Sequence, residues 1–224
     1  MAPRSEPPVN HADAPIEPLP RTVADFANAA DLAREMGDLS PEELDWQLRN
    51  YDIKTTEDNP NDAEREVSRL MTLKSYNILD TEAEVEFDEL TRQAKEEFGC
   101  PIAVVSLVDL GRQWFKSIQG LDAAETPRCV AFCAHVVKRK AEDGVMVVPD
   151  ATKDPRFANN GLVTDGPMIR YYAGAPLISP EGDRLGSFCV IDFEPHPEGL
   201  SPSEKARLTC YTQEAVLHMI TRGE

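Results

Sequence analysis

The sequence predicts an α+β domain over residues 62–221, an antiparallel sheet with its terminal helices on one face. Three observations predict it. Apolar residues recur at helical spacing at both ends of this stretch. Between them lie short, strongly apolar runs joined by turn sequences, so neighbouring strands run antiparallel. A long region, 109–168, is left over and must cover the other face, and long loops on a rigid sheet are where binding sites form.

Taken in order, 63–77 reads as a helix with Val67, Leu70, Met71 and Leu73 inward. A second helix spans 85–98, with Phe87, Leu90, Ala94 and Phe98 on one face and Gly99 ending it. Residues 101–108 (PIAVVSLV) fit a buried central strand. Asp109-Leu110-Gly111 turns the chain into a hairpin partner, 112–118, whose alternation sends Trp114 and Phe115 to opposite faces. A short helix is expected over 130–140 and a short strand over 145–148. The stretch 150–168 is irregular, rich in Asp, Asn, Gly and Pro. Strands at 169–178 and 184–191 flank the β-turn sequence Pro180-Glu181-Gly182-Asp183. Ser201-Pro202-Ser203-Glu204 is a capping box that opens a final helix to about Arg222.

Residues 1–61 read as an extension ahead of a domain at 62–224. The first twenty hold six of the eighteen prolines and little apolar content, as in a disordered leader. Two short helices follow, one capped by Thr22 and Asp25, the other opened by Ser40-Pro41-Glu42-Glu43. Leu44, Leu48 and Tyr51 form a stripe near Trp46, either a strap on the domain's own surface or a partner-binding arm. Residues 55–62 read as a linker.

Composition narrows the function classes. Hydrophobic residues at 41% and charged ones at 28% suit a globular protein. A net charge of −17 repels phosphate backbones and anionic lipid, which argues against nucleic-acid or membrane-surface binding. No apolar run is long enough to span a bilayer, and the N-terminus lacks a signal-peptide core, so a cytoplasmic location is expected. The five cysteines are odd in number and form no CxxC pair, so reduced thiols are expected and no metal-ligand set is legible.

Ten blocks then occur in order. They are Tyr76-Asn77-Ile78-Leu79-Asp80-Thr81, Phe87-Asp88, the apolar run from Pro101 to Asp109, Arg112-Gln113-Trp114-Phe115-Lys116-Ser117 and Glu125-Thr126-Pro127-Arg128. After these come Phe132-Cys133-Ala134-His135, Val148-Pro149-Asp150-Ala151, Asp154-Pro155-Arg156-Phe157, Tyr171-Tyr172-Ala173-Gly174-Ala175-Pro176-Leu177 and the run from Leu185 to Asp192. The series resembles the GAF domains of bacterial sensor histidine kinases and diguanylate cyclases. The resemblance implies a central antiparallel sheet of five or six strands with helices on both faces. It also implies a small-molecule pocket under the helical loops and a homodimer through the first and last helices. No kinase, cyclase or phosphodiesterase segment is present, so output is expected through dimerisation, the N-terminal arm or a partner signalling protein.

The residues offer few catalytic constellations. Cys133 and His135 lie two apart on a predicted helix, where side chains diverge by about 200°, so a direct dyad is not expected. Cys129 and Cys133, four apart, could share a face. This helix either senses redox state or metal, or simply packs its cysteine under the sheet. Arg156 and Phe157 either meet an anionic ligand or tie the loop down, and Arg128 has the same two readings. Gly174 is expected to admit a close neighbour. The ligand-facing candidates are Trp114, Phe132, Cys133, His135, Arg156, Phe157, Asn160 and Tyr172.

The expected function is a small-molecule-sensing or protein-interaction module without catalytic output. No cofactor is named by the sequence. Two alternatives stay open. One is a cysteine-dependent oxidoreductase of the free methionine sulfoxide reductase type, whose glycine- and cysteine-rich block is absent. The other is a structural scaffold with a collapsed pocket. The bilin-attachment and cyclic-nucleotide patterns of other relatives are missing too.

Overall fold

A computed structural model gives the structure and describes residues 62–138 and 144–222. The leader and the two short helices expected before residue 61 lie outside the described residues, as does the side chain of Val67.

The chain opens with two helices, α1 (Asp62–Ser75) and α2 (Val85–Phe98). In α2 the spacing of Phe87, Leu90 and Ala94 buries one face, and each large apolar side chain buried in this way contributes about 1.5–3 kcal/mol. Gly99 terminates the helix at φ 62°, a left-handed conformation that suits a residue without Cβ, and donates its N–H to Glu96 O.

Strands β1 (Ile102–Val108) and β2 (Arg112–Gln119) form the expected hairpin. β3 (Glu125–Pro127) pairs with β2. The predicted helix at 130–140 is divided. A 3₁₀ turn (Arg128–Val130) ends at Ala131, whose φ −77°, ψ 123° is extended, and α3 (Phe132–Lys138) starts afresh. After β4 (Met146–Val148) the irregular stretch holds one helical turn, α4 (Gly161–Thr164). β5 (Tyr171–Ile178), β6 (Arg184–Asp192) and the long α5 (Pro202–Thr221) complete the chain. The Ser201 capping box forms: Ser201 Oγ accepts from Glu204 N, and the Glu204 carboxylate accepts from Ser201 N at 2.7 Å.

The six strands run β3-β2-β1-β6-β5-β4, every neighbouring pair antiparallel. Alternation divides their side chains between two cores. Ala103, Val105, Leu107, Tyr171, Ala173, Phe188 and Val190 join Leu73, Phe87, Leu90, Leu208 and Tyr211 of α1, α2 and α5. Ile102, Val104, Tyr172 and Cys189 face the other way, under α3 and the 145–169 loops, with Phe132, Phe157 and Val163. The terminal helices thus cover one face and the long connection the other.

A bulge where Val105 pairs with Ser117 but Ser106 with Phe115 makes Lys116 the extra residue. Its ammonium is wholly buried and donates to Glu84 at 2.5 Å, Thr81 Oγ at 2.8 Å and Glu82 O at 2.7 Å. Arg222, just past α5, binds the same Glu84 carboxylate at 2.8 Å, so one acid ties the sheet to both ends of the helical layer.

On α1, Glu66 is buried between Arg69 and Arg128, with Arg128 Nη1 at 2.7 Å. Arg69 Nη1 donates to Val108 O at 2.6 Å and Arg128 Nη1 to Asp109 O at 2.9 Å. Arg128 is therefore a loop-tying ion pair. Burial raises the Glu66 pKa, but the charges of Arg128 and Arg69 outweigh it and hold the carboxyl at about 2. Among the described residues no helix is long and apolar enough to cross a membrane.

Candidate functional site

The site begins with the alternation of β5. Tyr171 faces the terminal helices and Tyr172 the loop layer. The Tyr172 ring lies along its own strand over Gly174, where a Cβ would come within 2.2 Å of the phenol oxygen. The close neighbour that Gly174 admits is thus a side chain of the same strand. From there the hydroxyl reaches Ser187 Oγ at 3.1 Å and donates to Cys133 Sγ at 3.3 Å. Cys133 Sγ lies 3.8 Å from Cys189 Sγ. Ser106, the register partner of Ser187, is buried beside the same thiols with no hydrogen bond of good geometry. A polar floor of two thiols, two serines and a phenol therefore sits at the centre of an otherwise apolar layer.

The electrostatics of this floor are unequal. Burial opposes ionisation of Cys133, but the polar groups gathered around it, Cys189, Ser106, Ser187 and Tyr172, favour its thiolate and bring it below the usual thiol range. The Cys189 thiol is pushed up by donating to Cys133 and by burial. Burial, with the two sulfurs nearby, also pushes Tyr172 well up. The proton is therefore more easily lost from Cys133 than from either neighbour.

An aromatic lid closes over this floor. Phe132 stacks on Phe157 at a centroid distance of 3.9 Å and 9° between planes, and meets Tyr172 at 5.2 Å. His135 sits edge-on to Phe157 at 4.8 Å, and the Arg156 guanidinium lies 4.9 Å over the same ring. Arg156 is held by Asp154 at 2.6 Å and 2.9 Å. Asn160 Nδ2 donates to Val130 O and its Oδ1 accepts from Leu162 N, both at 2.9 Å, which caps α4 and fixes the lid to the 3₁₀ turn.

Seven of the eight sequence candidates thus meet in one layer: Phe132, Cys133, His135, Arg156, Phe157, Asn160 and Tyr172. Trp114 does not join them. It lies across the sheet in the core under the terminal helices, with Phe115 on the loop side. The extended Ala131 also separates Cys129 from Cys133: Cys129 is exposed and Cys133 buried, so they share no face. Sequence reasoning missed Ser106 and Ser187, although a serine inside each of two apolar strands was a visible signal.

Two clefts lie away from this layer, both against α5. One of about 410 Å³ is lined by Glu84, Glu86, His218 and Arg222. The other, about 450 Å³, runs between α5 and the ends of β5 and β6, past Ile178, Val216 and Leu217. The loop layer, by contrast, is closely packed: Phe132, Cys133, Phe157 and Tyr172 are each at most 3% exposed.

A stretch of 132 residues, 59% of the chain, is 46% identical to a cyclic di-GMP phosphodiesterase of Pseudomonas aeruginosa. The match takes in 22% of that relative, so the chain spans about a fifth of the curated protein it resembles. Among solved structures, the GAF domain of a Coxiella burnetii phosphoenolpyruvate-protein phosphotransferase is 16% identical, with 71% of this chain and 97% of that one covered and a TM-score of 0.49. The corresponding Acinetobacter domain is 15% identical over 68% and 93%, at 0.48. A free methionine-R-sulfoxide reductase of Neisseria meningitidis is 18% identical over 70% and 90%, at 0.46. The sequence model of the GAF domain matches residues 82–218, more than half of the chain, and the protein belongs to that family.

Proposed function

We propose that residues 62–224 form a sensory module that takes up a small polar molecule between the aromatic lid and the polar floor. Residues 1–61 are an extension outside this module. The observation that carries the reading is the buried floor itself. Ser106 Oγ has no hydrogen bond of good geometry, and leaving such a group unsatisfied costs about 1–3 kcal/mol. A ligand hydroxyl, amide or phosphate oxygen entering beside Tyr172 and Ser187 offsets that cost. His135 and Arg156, partly exposed on the lid, supply a polar and a cationic group at the entrance. Uptake displaces Phe157 and loosens the 154–160 loop, and that change passes to a second copy or to a partner signalling protein.

Native mass spectrometry of the full chain, with a panel of nucleotides (cyclic di-GMP among them) and amino acids, tests this. A one-to-one adduct that weakens in Tyr172→Phe and Arg156→Ala supports it. No adduct and no thermal stabilisation across the panel overturns it.

One contact favours a second reading, a cysteine-dependent reduction of methionine sulfoxide: Cys133 and Cys189 lie within disulfide-forming reach, at 3.8 Å. Thioredoxin-linked consumption of NADPH with free methionine sulfoxide, lost in Cys133→Ser, decides for it. Its absence removes the reading.

A further inference from the structure

Three segments converge at the end of the sheet where β1 begins and β6 ends. Cys100 follows the Gly99 cap and precedes β1, buried at 3% exposure. Asp192 is the last residue of β6, beside β1 in the register that pairs Ile102 with Ile191. His196 lies four residues on, between Pro195 and Pro197. The Cys100 Sγ, a carboxylate oxygen of Asp192 and a ring nitrogen of His196 all lie within 4.8 Å of one another. Asp192 Oδ2 and His196 Nε2 are 2.8 Å apart.

The surroundings hold this arrangement still. His196 N donates to Pro149 O at 2.9 Å, Arg170 N to Asp192 O at 2.9 Å, and Glu194 N to Asp192 Oδ1 at 3.1 Å. The Tyr171 ring stacks on the imidazole at 4.0 Å and 9°. Tyr171 is 1% exposed, and its hydroxyl is buried without a hydrogen-bond partner, within the electrostatic reach of Cys100, Glu204 and Asp192. The sequence showed nothing of this group because Cys100 is far along the chain from the Asp192–His196 pair.

We propose that Cys100, Asp192 and His196 bind one divalent transition-metal ion of the zinc class. A thiolate, an imidazole and a carboxylate are three donors that zinc accepts together, and three protein ligands leave a fourth position open. Tetrahedral ligands stand about 3.5 Å apart at ordinary zinc bond lengths. A spread of at most 4.8 Å therefore closes with shifts on the order of 1 Å. Binding releases the Cys100 thiol proton, and the imidazole keeps its remaining proton on Nδ1. The Tyr171 hydroxyl gains a partner in the water or anion at the fourth position. The site is on the opposite side of the sheet from the sensory layer, and its failure leaves that reading untouched.

The test is metal titration of the reduced full chain. Zinc is added in competition with a chromophoric chelator, and cobalt(II) serves as the optical probe. One zinc per chain and a thiolate-to-cobalt charge-transfer band are expected. Cys100→Ser removes the band, and Cys100→Ser or His196→Gln weakens zinc binding more than about 100-fold, beyond what loss of a supporting group costs. Cys129→Ser, at the exposed thiol outside both sites, leaves both unchanged. If Cys100→Ser fails to fold, His196→Gln replaces it, its loss of zinc affinity read in the same chelator competition. Absence of the band, or zinc affinity equal to wild type in Cys100→Ser or His196→Gln, overturns the proposal.

Discussion

The Tyr172 hydroxyl donates to Cys133 Sγ at 3.3 Å across the loop layer, and it can do so only because Gly174 leaves the space beneath the ring. This pairing couples β5 to α3.

Gly174→Ala therefore forces the phenol to move. Its added carbon meets Tyr172 Oη at 2.2 Å and Cζ at 2.7 Å, and the ring is pinned by Phe132 above. The expected loss is about 1–3 kcal/mol, the usual cost of overpacking. A urea denaturation midpoint indistinguishable from wild type would show that the ring is not so confined.

Glu66→Gln removes the carboxylate that pairs with Arg128 and Arg69 while leaving both arginines buried. Breaking a buried pair from one side costs about 3–5 kcal/mol. The pH dependence has a definite sign. The folded Glu66 pKa is lowered to about 2 from 4.5, so its contribution is complete above 4.5 and is lost as pH falls toward 2. Denaturant midpoints measured between pH 6 and pH 2 should fall less steeply in Glu66→Gln. Parallel curves would count against this account.

Ser201→Ala deletes the acceptor for Glu204 N and half of the capping box. The helix it opens buries Leu208, Tyr211, Ala215 and Met219. A loss of about 1 kcal/mol is expected, visible in calorimetry as a Tm lower by about 2–4 °C. A change below one degree would mean the cap contributes little here.

Thiol reactivity should separate the cysteines. Cys129 is exposed, while Cys100, Cys133 and Cys189 are buried. A maleimide in native buffer should modify Cys129 first and leave the buried three until unfolding. Phe157→Ala lifts the lid and should bring Cys133 into the fast class, at a stability cost of about 3–5 kcal/mol. Equal labelling of Cys133 in the two proteins would show that Phe157 does not guard it.

The helices were legible because their periodicity agrees with their ends. Phe87, Leu90 and Ala94 mark the inner face of α2, Gly99 stops it, and Ser201 with Glu204 starts α5. Alternation also separated Trp114 from Phe115, yet it fixes only relative faces. Nothing local says which face the terminal helices take, so alternation alone does not place Trp114 beneath them. The bulge at Lys116 was hidden for a similar reason, since a lysine in a strand reads as solvent-facing until its buried acid, Glu84, is located. The thiol contact needed cross-strand register, with Cys189 opposite Gly174, and the direction in which α3 leaves the 3₁₀ turn. Neither is carried by nearby residues.

The sheet is long at its centre and ends at each side in a strand of three residues, β3 with Pro127 and β4 with Met146–Val148. Such margins offer another chain almost no row of open amides to extend. Growth of this fold by strand addition is thereby discouraged, whether into fibres or swapped sheets. Among the described residues, helices and loops are the surfaces that remain for association, and their contacts can be made and released without opening the sheet.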